Sequence, residues 1–405
     1  MFVKQLLPAF LAIGSAAAQA GTCTFTATTT VNSQAEATKL ASCRTVKGSV
    51  VIGTTAGSSI DISGPQEITG DLSVLDNGVL ENFQTSSLRT VGGAFTLRNV
   101  TKLSTLSFSS LTSVRALAWQ SVTNLNSVTL GPLSKADEVT ISDTFLDTLT
   151  GLNLTSVNKL DINNNRRLKK FSTGLENLSD NLNIQANGIG LDIDLPDLVW
   201  ISNMTIANVT KFSVPSLQVV NGSIRFDSNY FETFSAPNLT HTESGDISFV
   251  GNGALLNMTF PKLTSIGGGL LIANNTGLDK VTYFPKLTDV GGAIKLRGNF
   301  TEVDFPELNV VKGAFDVSST GDVKSSCEAL KKAAPSDQGG DGRIAGTFTC
   351  TSNNDKANED TDSTSSGNGE VDGTGNGKDK NSAAGVTFNV ALLGLVGVAA
   401  LASAL

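Results

Sequence analysis

The sequence predicts an all-β fold, a right-handed parallel β-helix or solenoid of short coils, and three observations predict it. A leucine recurs along the chain with successive gaps of 19 to 24 residues. Within each repeat, apolar residues alternate with polar ones at period two, the spacing of a strand with one buried face. Glycine pairs and prolines return at fixed places, where the backbone must turn. A sustained period near 22 residues is the signature of a solenoid.

The repeat is read from Leu263-Thr264-Ser265-Ile266-Gly267-Gly268-Gly269-Leu270-Leu271-Ile272 beside Leu287-Thr288-Asp289-Val290-Gly291-Gly292-Ala293-Ile294-Lys295-Leu296. Leu308 to Val317 and Leu88 to Leu97 follow the same plan. The leading leucine is placed at Leu88, Leu111, Leu133, Leu154, Leu178, Leu198, Leu217, Leu239, Leu263, Leu287 and Leu308. Two earlier turns, around Val46 to Ile52 and Ile68 to Val74, extend the series. A second short strand precedes many of the leucines, as in Phe212-x-Val214, Phe234-x-Ala236, Met258-x-Phe260 and Val303-x-Phe305. Pro215, Pro237, Pro261 and Pro306 follow it and end the pairing. No repeat holds a helical stretch of useful length. Thirteen or so coils at ~4.8 Å spacing would make a rod of order 60 Å.

Asn165, Asn187, Asn229, Asn252, Asn275 and Asn299 each stand three residues after a strand's last apolar position. Stacked at one corner, they would bond to neighbouring coils and satisfy buried backbone groups. Both ends of such a stack need a cap, because open strand edges template aggregation. Short helices over 33–40 and 326–333 supply them.

Cysteines fall beside those helices as two pairs, Cys23 with Cys43 and Cys327 with Cys350. Three connectivities are possible. A secreted context favours disulfides, and local pairing is predicted, each bridge closing a loop of roughly twenty residues for about 3 kcal/mol. A zinc site would want tighter ligand spacing.

The ends supply that context. Lys4, an apolar run over 6–13 and Ala18-Gln19-Ala20 read as a secretory signal over 1–20. Residues 390–405 are uncharged and almost wholly apolar, behind small residues at Asn381, Ser382 and Ala383. That order is the pattern of a glycosylphosphatidylinositol (GPI) attachment signal, with Asn381 as the lipidated residue and 382–405 removed. A helix of those sixteen residues would span about 24 Å, short of a ~30 Å bilayer core. The expected organisation is a signal at 1–20, an N-terminal cap at 21–45 and a solenoid at 46–325. A C-terminal cap at 326–351 and a stalk at 352–381 follow. The solenoid is either one stack or two modules divided near residue 196. The stalk, rich in Ser, Thr, Gly, Asn and Asp, cannot bury enough surface to fold.

Composition excludes several functions. The formal net charge is −8, so nothing suggests nucleic acid. The single histidine, His241, has no second histidine to join it, which disfavours a metal site or a catalytic triad. No nucleotide-binding fingerprint stands in a strand–helix setting, since the run 267–269 belongs to a repeated corner. Asp192 and Asp194 alternate with apolar neighbours, placing two carboxylates about 7 Å apart, within the range of a glycosidase pair. The simpler reading is a solvated strand face. Trp119 and Trp200 read as core or corner packing, with stacking on sugars as the alternative role. The residues therefore assign no catalytic, cofactor or metal site. Ten Asn-x-Ser/Thr sequons stand at Asn99, Asn153, Asn177, Asn203, Asn208, Asn221, Asn238, Asn257, Asn274 and Asn299. Asn299, and with it Asn99 and Asn208, would be in conflict if buried in the asparagine row. Asn153, Asn177, Asn221 and Asn238 lie near predicted turns.

The cysteine-capped, glycine-rich coils resemble receptor L domains, the leucine-rich-like β-helical modules of insulin and growth-factor receptor ectodomains. With the secretion signal, polar tail and lipid-anchor signal, the chain over about 20–381 resembles the fungal GPI-anchored cell-wall organisation family, the "extracellular mutant" and sporulation-specific proteins. The resemblance implies a glycoprotein on the outer face of the plasma membrane and in the wall, needed for wall integrity. It brings no catalytic residue and no cofactor. The reading is a non-enzymatic scaffold displaying a repetitive face to wall polysaccharide or wall proteins and tied to the membrane by its lipid. A receptor-like or adhesion module binding a protein ligand is the alternative, and a wall-polysaccharide-modifying β-helical enzyme the second.

Overall fold

The computed structural model describes residues 21–25 and 27–359. The signal segment 1–20, most of the stalk, Asn381 and the apolar run 390–405 lie outside the described residues. The chain divides into two compact units between Asn153 and Leu154, so the region near residue 196 lies inside the second.

Each unit is a parallel β-solenoid. In the first, a broad sheet takes one or two strands from every coil, among them Leu72–Leu75, Thr90–Arg98 and Ser113–Val122. A narrow sheet of Ser59–Asp61, Asn82–Thr85, Thr105–Phe108 and Ser127–Leu130 faces it. The second unit repeats the plan. Its broad sheet includes Ser156–Asn163, Asn177–Gln185 and Trp200–Ala207, and Lys170–Ser172, Asp192–Asp194 and Lys211–Ser213 form part of its narrow side. All of these pairings are parallel.

Register follows from the period. Leu72 pairs with Phe95, Phe95 with Leu117, and Leu117 with Val139. In the second unit the same inward row runs through Leu182, Met204, Ile224, Ile247, Leu270, Ile294 and Phe315. A slip of one residue would turn every such side chain to water, so burial fixes the alignment. Aromatic rings fill the space between the sheets. Trp119 stands edge-on to Phe95 at 5.9 Å, and Phe260, Phe284 and Phe305 stack face to face at 5.1 and 5.8 Å. Trp119 is thus core, as its place in the repeat predicts.

Two positions need correction. The leucine row is buried throughout, but Leu178 is not in it: Leu178 pairs with Val157 and Ile201. Leu175, fully buried three residues earlier, holds the leading place. Both residues are leucine and both are core, so spacing alone could not separate them.

The asparagine row is real but differs in membership. Asn229, Asn252 and Asn275 are buried, and each of the last two offers its Oδ1 to the main-chain N–H of the preceding asparagine at 2.9 Å. Asn165 and Asn187 make the same contact at 3.0 Å. Val209 interrupts the row, and Asn77 occupies the equivalent place in the first unit, donating to Gly53 O at 2.8 Å. Asn299 is not a member: it is exposed between buried Gly298 and Phe300. The strand Ile294–Gly298 runs one residue further than its predecessor Leu270–Ala273, which shifts the corner. Just before the row the chain is left-handed in coil after coil, with φ between 51 and 61° at Asp76, Asn99, Asn164, Asn208 and Asn274. Asn and Asp tolerate that conformation better than other residues with a Cβ.

Both caps carry a disulfide. Helix Gln34–Lys39 begins at Ser33, whose Oγ accepts from Glu36 N, while Glu36 accepts from Asn32 N at 2.6 Å. Gln34 bonds Asp61 through both its amide atoms, as another strand would, and so closes the edge of the narrow sheet. Cys23–Cys43 joins the first strand, Gly21–Thr24, to its neighbour Cys43–Lys47. At the other end helix Lys324–Leu330 and a 3-10 turn, Lys331–Ala333, precede the last strand, Phe348–Thr351. Cys327–Cys350 ties that helix to it.

Candidate functional site

The outer surface is distinctive where the broad sheet bends. In the second unit the two-residue strands Ser265–Ile266 and Asp289–Val290 lead directly into glycine, and Val310–Val311 reaches it after Lys312. His241–Thr242 is the matching strand of the coil before them. Main chain lies directly against main chain there. A Cβ at Gly267 would stand 2.1 Å from Glu243 O, and one at Gly291 2.1 Å from Gly267 O. These glycines leave a strip of bare backbone along the corner. Beside it, side chains clamp one coil to the next: Asn203 Oδ1 accepts from Ser223 N at 3.0 Å, Ser223 Oγ from Asp246 N at 3.1 Å, and Asp246 Oδ1 from Gly269 N at 2.5 Å. Asp71 Oδ1 does the same for Ala94 N in the first unit, at 2.8 Å.

The strip floors a groove of about 280 Å³ lined by His241, Glu243, Ser265, Asp289 and Lys312. His241 is held on both sides. Its Nε2 lies 3.0 Å from Glu243 Oε1, and its Nδ1 lies 2.9 Å from Thr240 Oγ1. The Thr240 hydroxyl itself donates to Gln218 O at 3.0 Å, so the ring faces two oxygen acceptors. Sequence reasoning passed over this groove because it needs the coil alignment. His241 pairs with Val219 and Ser265, and Ser265 with Asp289, which Val310 follows. Laying the repeats over one another at their offsets of 21 to 24 residues would have found it.

Asp246, half-buried beside the groove, has a displaced titration. Burial raises its pKa above the ordinary carboxylate value, and the Gly269 N–H works against that rise. Where the folded pKa is raised, the native state holds more protons than the unfolded chain, so stability falls as pH rises through the interval between the two values. Asp246→Asn is expected to flatten this slope from about pH 4 upward. Denaturant unfolding at a series of pH values checks it, on protein made without N-glycosylation because the substitution completes a sequon with Ser248. A slope unchanged by the substitution would count against the assignment.

The carboxylate pair predicted from the sequence sits elsewhere. Asp192 and Asp194 flank buried Ile193 on the outside of the narrow sheet. Asp192 stands between Lys170 and Lys211 in register, 3.7 Å from Lys211 Nζ, while Asp194 lies between Ser172 and Ser213. This is a charge-balanced strand face, with neither acid placed beside His241. Trp200 is half-buried in the outward row that leads through Val219 to His241. Among the described residues no three His, Cys, Asp or Glu side chains gather where they could hold a metal ion.

All ten sequon asparagines face outward. Asn99, Asn208 and Asn274 occupy the left-handed corner, and Asn299 follows at the same side of its coil. Asn153 and Asn238 directly precede the core leucines Leu154 and Leu239. Asn257 opens the narrow-side strand Asn257–Thr259. Asn177 and Asn203 lie in broad-sheet strands, and Asn221 directly follows one.

Comparison with known proteins bears on this arrangement. A family model described as a GPI-anchored cell wall organization protein, Ecm33, matches residues 1–41. Protein ecm33 of Aspergillus fumigatus is 37% identical over 86% of this chain and 85% of its own length. Sporulation-specific protein 2 of Saccharomyces cerevisiae is 33% identical over 71% of this chain and 57% of its own length. The cell surface GPI-anchored protein ECM33 of Candida albicans is 28% identical over 86% and 84%. No solved structure matches.

Proposed function

Because this chain belongs to the Ecm33 family of GPI-anchored cell wall organisation proteins, we propose that it organises the fungal wall from the outer face of the plasma membrane. It acts there as a lipid-anchored, glycosylated, non-catalytic scaffold. The observation that carries the reading is the constant register of the coils. It packs the inward side chains into core and aligns outward ones, Thr205, Arg225, Ser248, Lys295 and Asp316, in a largely polar row that Leu271 interrupts. Such a surface suits a repetitive ligand better than a single reacting centre. The relatives are named as cell surface, cell wall and sporulation proteins, and none of those names is an enzyme's.

The test is complementation. In a strain lacking the gene, Asp192→Asn with Asp194→Asn is expected to restore resistance to wall-perturbing dyes as fully as the wild type does. Loss of rescue by a folded, surface-displayed double variant would support catalysis by that pair instead. The anchor is tested separately. Phospholipase treatment of intact cells is expected to release the protein with its new carboxyl terminus at Asn381. A protein that stays on the membrane through its apolar tail overturns that part.

A further inference from the structure

We infer that the glycine-floored groove beside His241 binds one neutral, unbranched polysaccharide strand laid along the direction in which the coils stack. The inference rests on the proposed scaffold role and specifies where its polymer would sit. Four observations carry it.

The lining comes from four consecutive coils, beginning at His241 and ending at Lys312. At ~4.8 Å per coil this makes about 14 Å of continuous surface, the length of a short run of sugar units. The floor is backbone, because Gly267 and Gly291 have no room for a Cβ, so the flat face of a sugar ring can come close. The rim carries both signs of charge, Glu243 and Asp289 beside Lys312. A polyanion would meet the two carboxylates and a polycation the lysine. Hydroxyl groups can donate to the first and accept from the second without bringing a charge out of water. Of the apolar lining residues, Ile266 and Val290 point into the core at 1% exposure and Val310 alone is half-exposed, so the groove offers little apolar surface to a hydrophobic peptide anchor.

Sequon placement leaves the groove open from Ser265 to Lys312. Asn177, Asn203 and Asn221 fall on this side in the three preceding coils. Asn238 stands three residues before His241, at the near end of the groove, whereas Asn257, Asn274 and Asn299 lie on the narrow side or at the left-handed corner.

The test uses the full protein released from cells, with soluble β-glucan, chitin oligosaccharide and neutral mannan as probes. Val310→Asn with Lys312→Thr completes a sequon at the end of the groove and places a glycan across it, and Asp289→Ala removes one rim acceptor. Asn257→Gln, on the narrow side, is the control. At least one probe is expected to bind, with affinity falling about tenfold or more in the glycan variant and measurably in Asp289→Ala, and unchanged in the control. Trimming the added glycan with an endoglycosidase should recover part of the lost binding, which a misfolded variant would not do. Binding that survives both groove variants overturns the groove while leaving the polysaccharide reading in place. Failure of all three probes to bind the wild type overturns both. A surface protein displaced by the added glycan would then give the groove to a protein partner.

Discussion

Replacing Asn252 with alanine is expected to destabilise the second unit by about 4 kcal/mol, the sum of several hydrogen-bonding groups left buried without partners. Asn252 is fully buried, and its Oδ1 accepts from both Asn229 N and Asn229 Nδ2 at 2.9 Å. Its Nδ2 donates to Phe226 O at 3.2 Å and Asn275 Oδ1 at 2.9 Å. Alanine removes every one of these side-chain bonds and leaves the Asn229 main-chain N–H facing a methyl group. Water cannot replace them without opening the corner between coils. At roughly 2–4 °C per kcal/mol for a unit of this size, the midpoint of thermal unfolding should fall by about 10 °C. Asn299→Ala provides the contrast. Asn299 is exposed, its Oδ1 taking only the exposed Thr320 hydroxyl, so its loss should stay within about 0.5 kcal/mol. Both proteins should be prepared without N-glycans, since Asn299 opens a sequon. Equal effects from the two substitutions would mean the asparagine row is not what holds that corner.

The same pair of residues marks how far the sequence could be read. Alternation and period located the coils, the inward rows and the caps, because those features repeat and burial leaves little freedom in register. Asn252 and Asn299 are alike in sequence: each stands three residues after an apolar residue of its strand's inward alternation, Phe249 and Leu296. What separates them is a single extra strand residue at Gly298, whose backbone continues the ladder to Ser319. An extension of one residue has no signature in composition. Leu175 and Leu178 pose the same problem, since two leucines three apart both satisfy a leucine period. The groove was missed for a different reason. His241, Ser265, Asp289 and Lys312 are distant in sequence and unlike in chemistry. Only the stacking offset brings them to one edge, and a search by residue type cannot find a site that lacks a shared motif. The acidic pair Asp192 and Asp194 shows the converse, a motif close in sequence whose flanking coils supply lysines and serines and so make it an ordinary surface.

Gly291→Ala should do far more damage than a methyl group added at an open surface position of this chain. Glycine is usually required for its conformational freedom, but Gly291 does not have a positive φ, so alanine could adopt its backbone angles. The obstacle is the neighbouring coil. The new Cβ would lie 2.1 Å from Gly267 O and 2.9 Å from Gly267 C, both main-chain atoms that cannot rotate away. Relief requires the coils to separate, at the expense of the bonds from Gly291 N to Ile266 O at 2.8 Å and Gly292 N to Gly268 O at 2.7 Å. Overpacking and two weakened ladder bonds together suggest a loss of about 4 kcal/mol or more, enough to reduce secretion as well as thermal stability. Gly190→Ala separates this cause from conformational strain. Gly190 has φ of 90° with nothing within 4 Å of where a Cβ would stand, so its substitution meets only the strain of a positive φ, about 1 kcal/mol. Secreted yield and unfolding midpoint of the two variants, measured side by side, decide between the explanations. If Gly190→Ala proves the more harmful, backbone conformation rather than coil-to-coil contact sets the need for glycine, and the close approach that floors the groove loses its support.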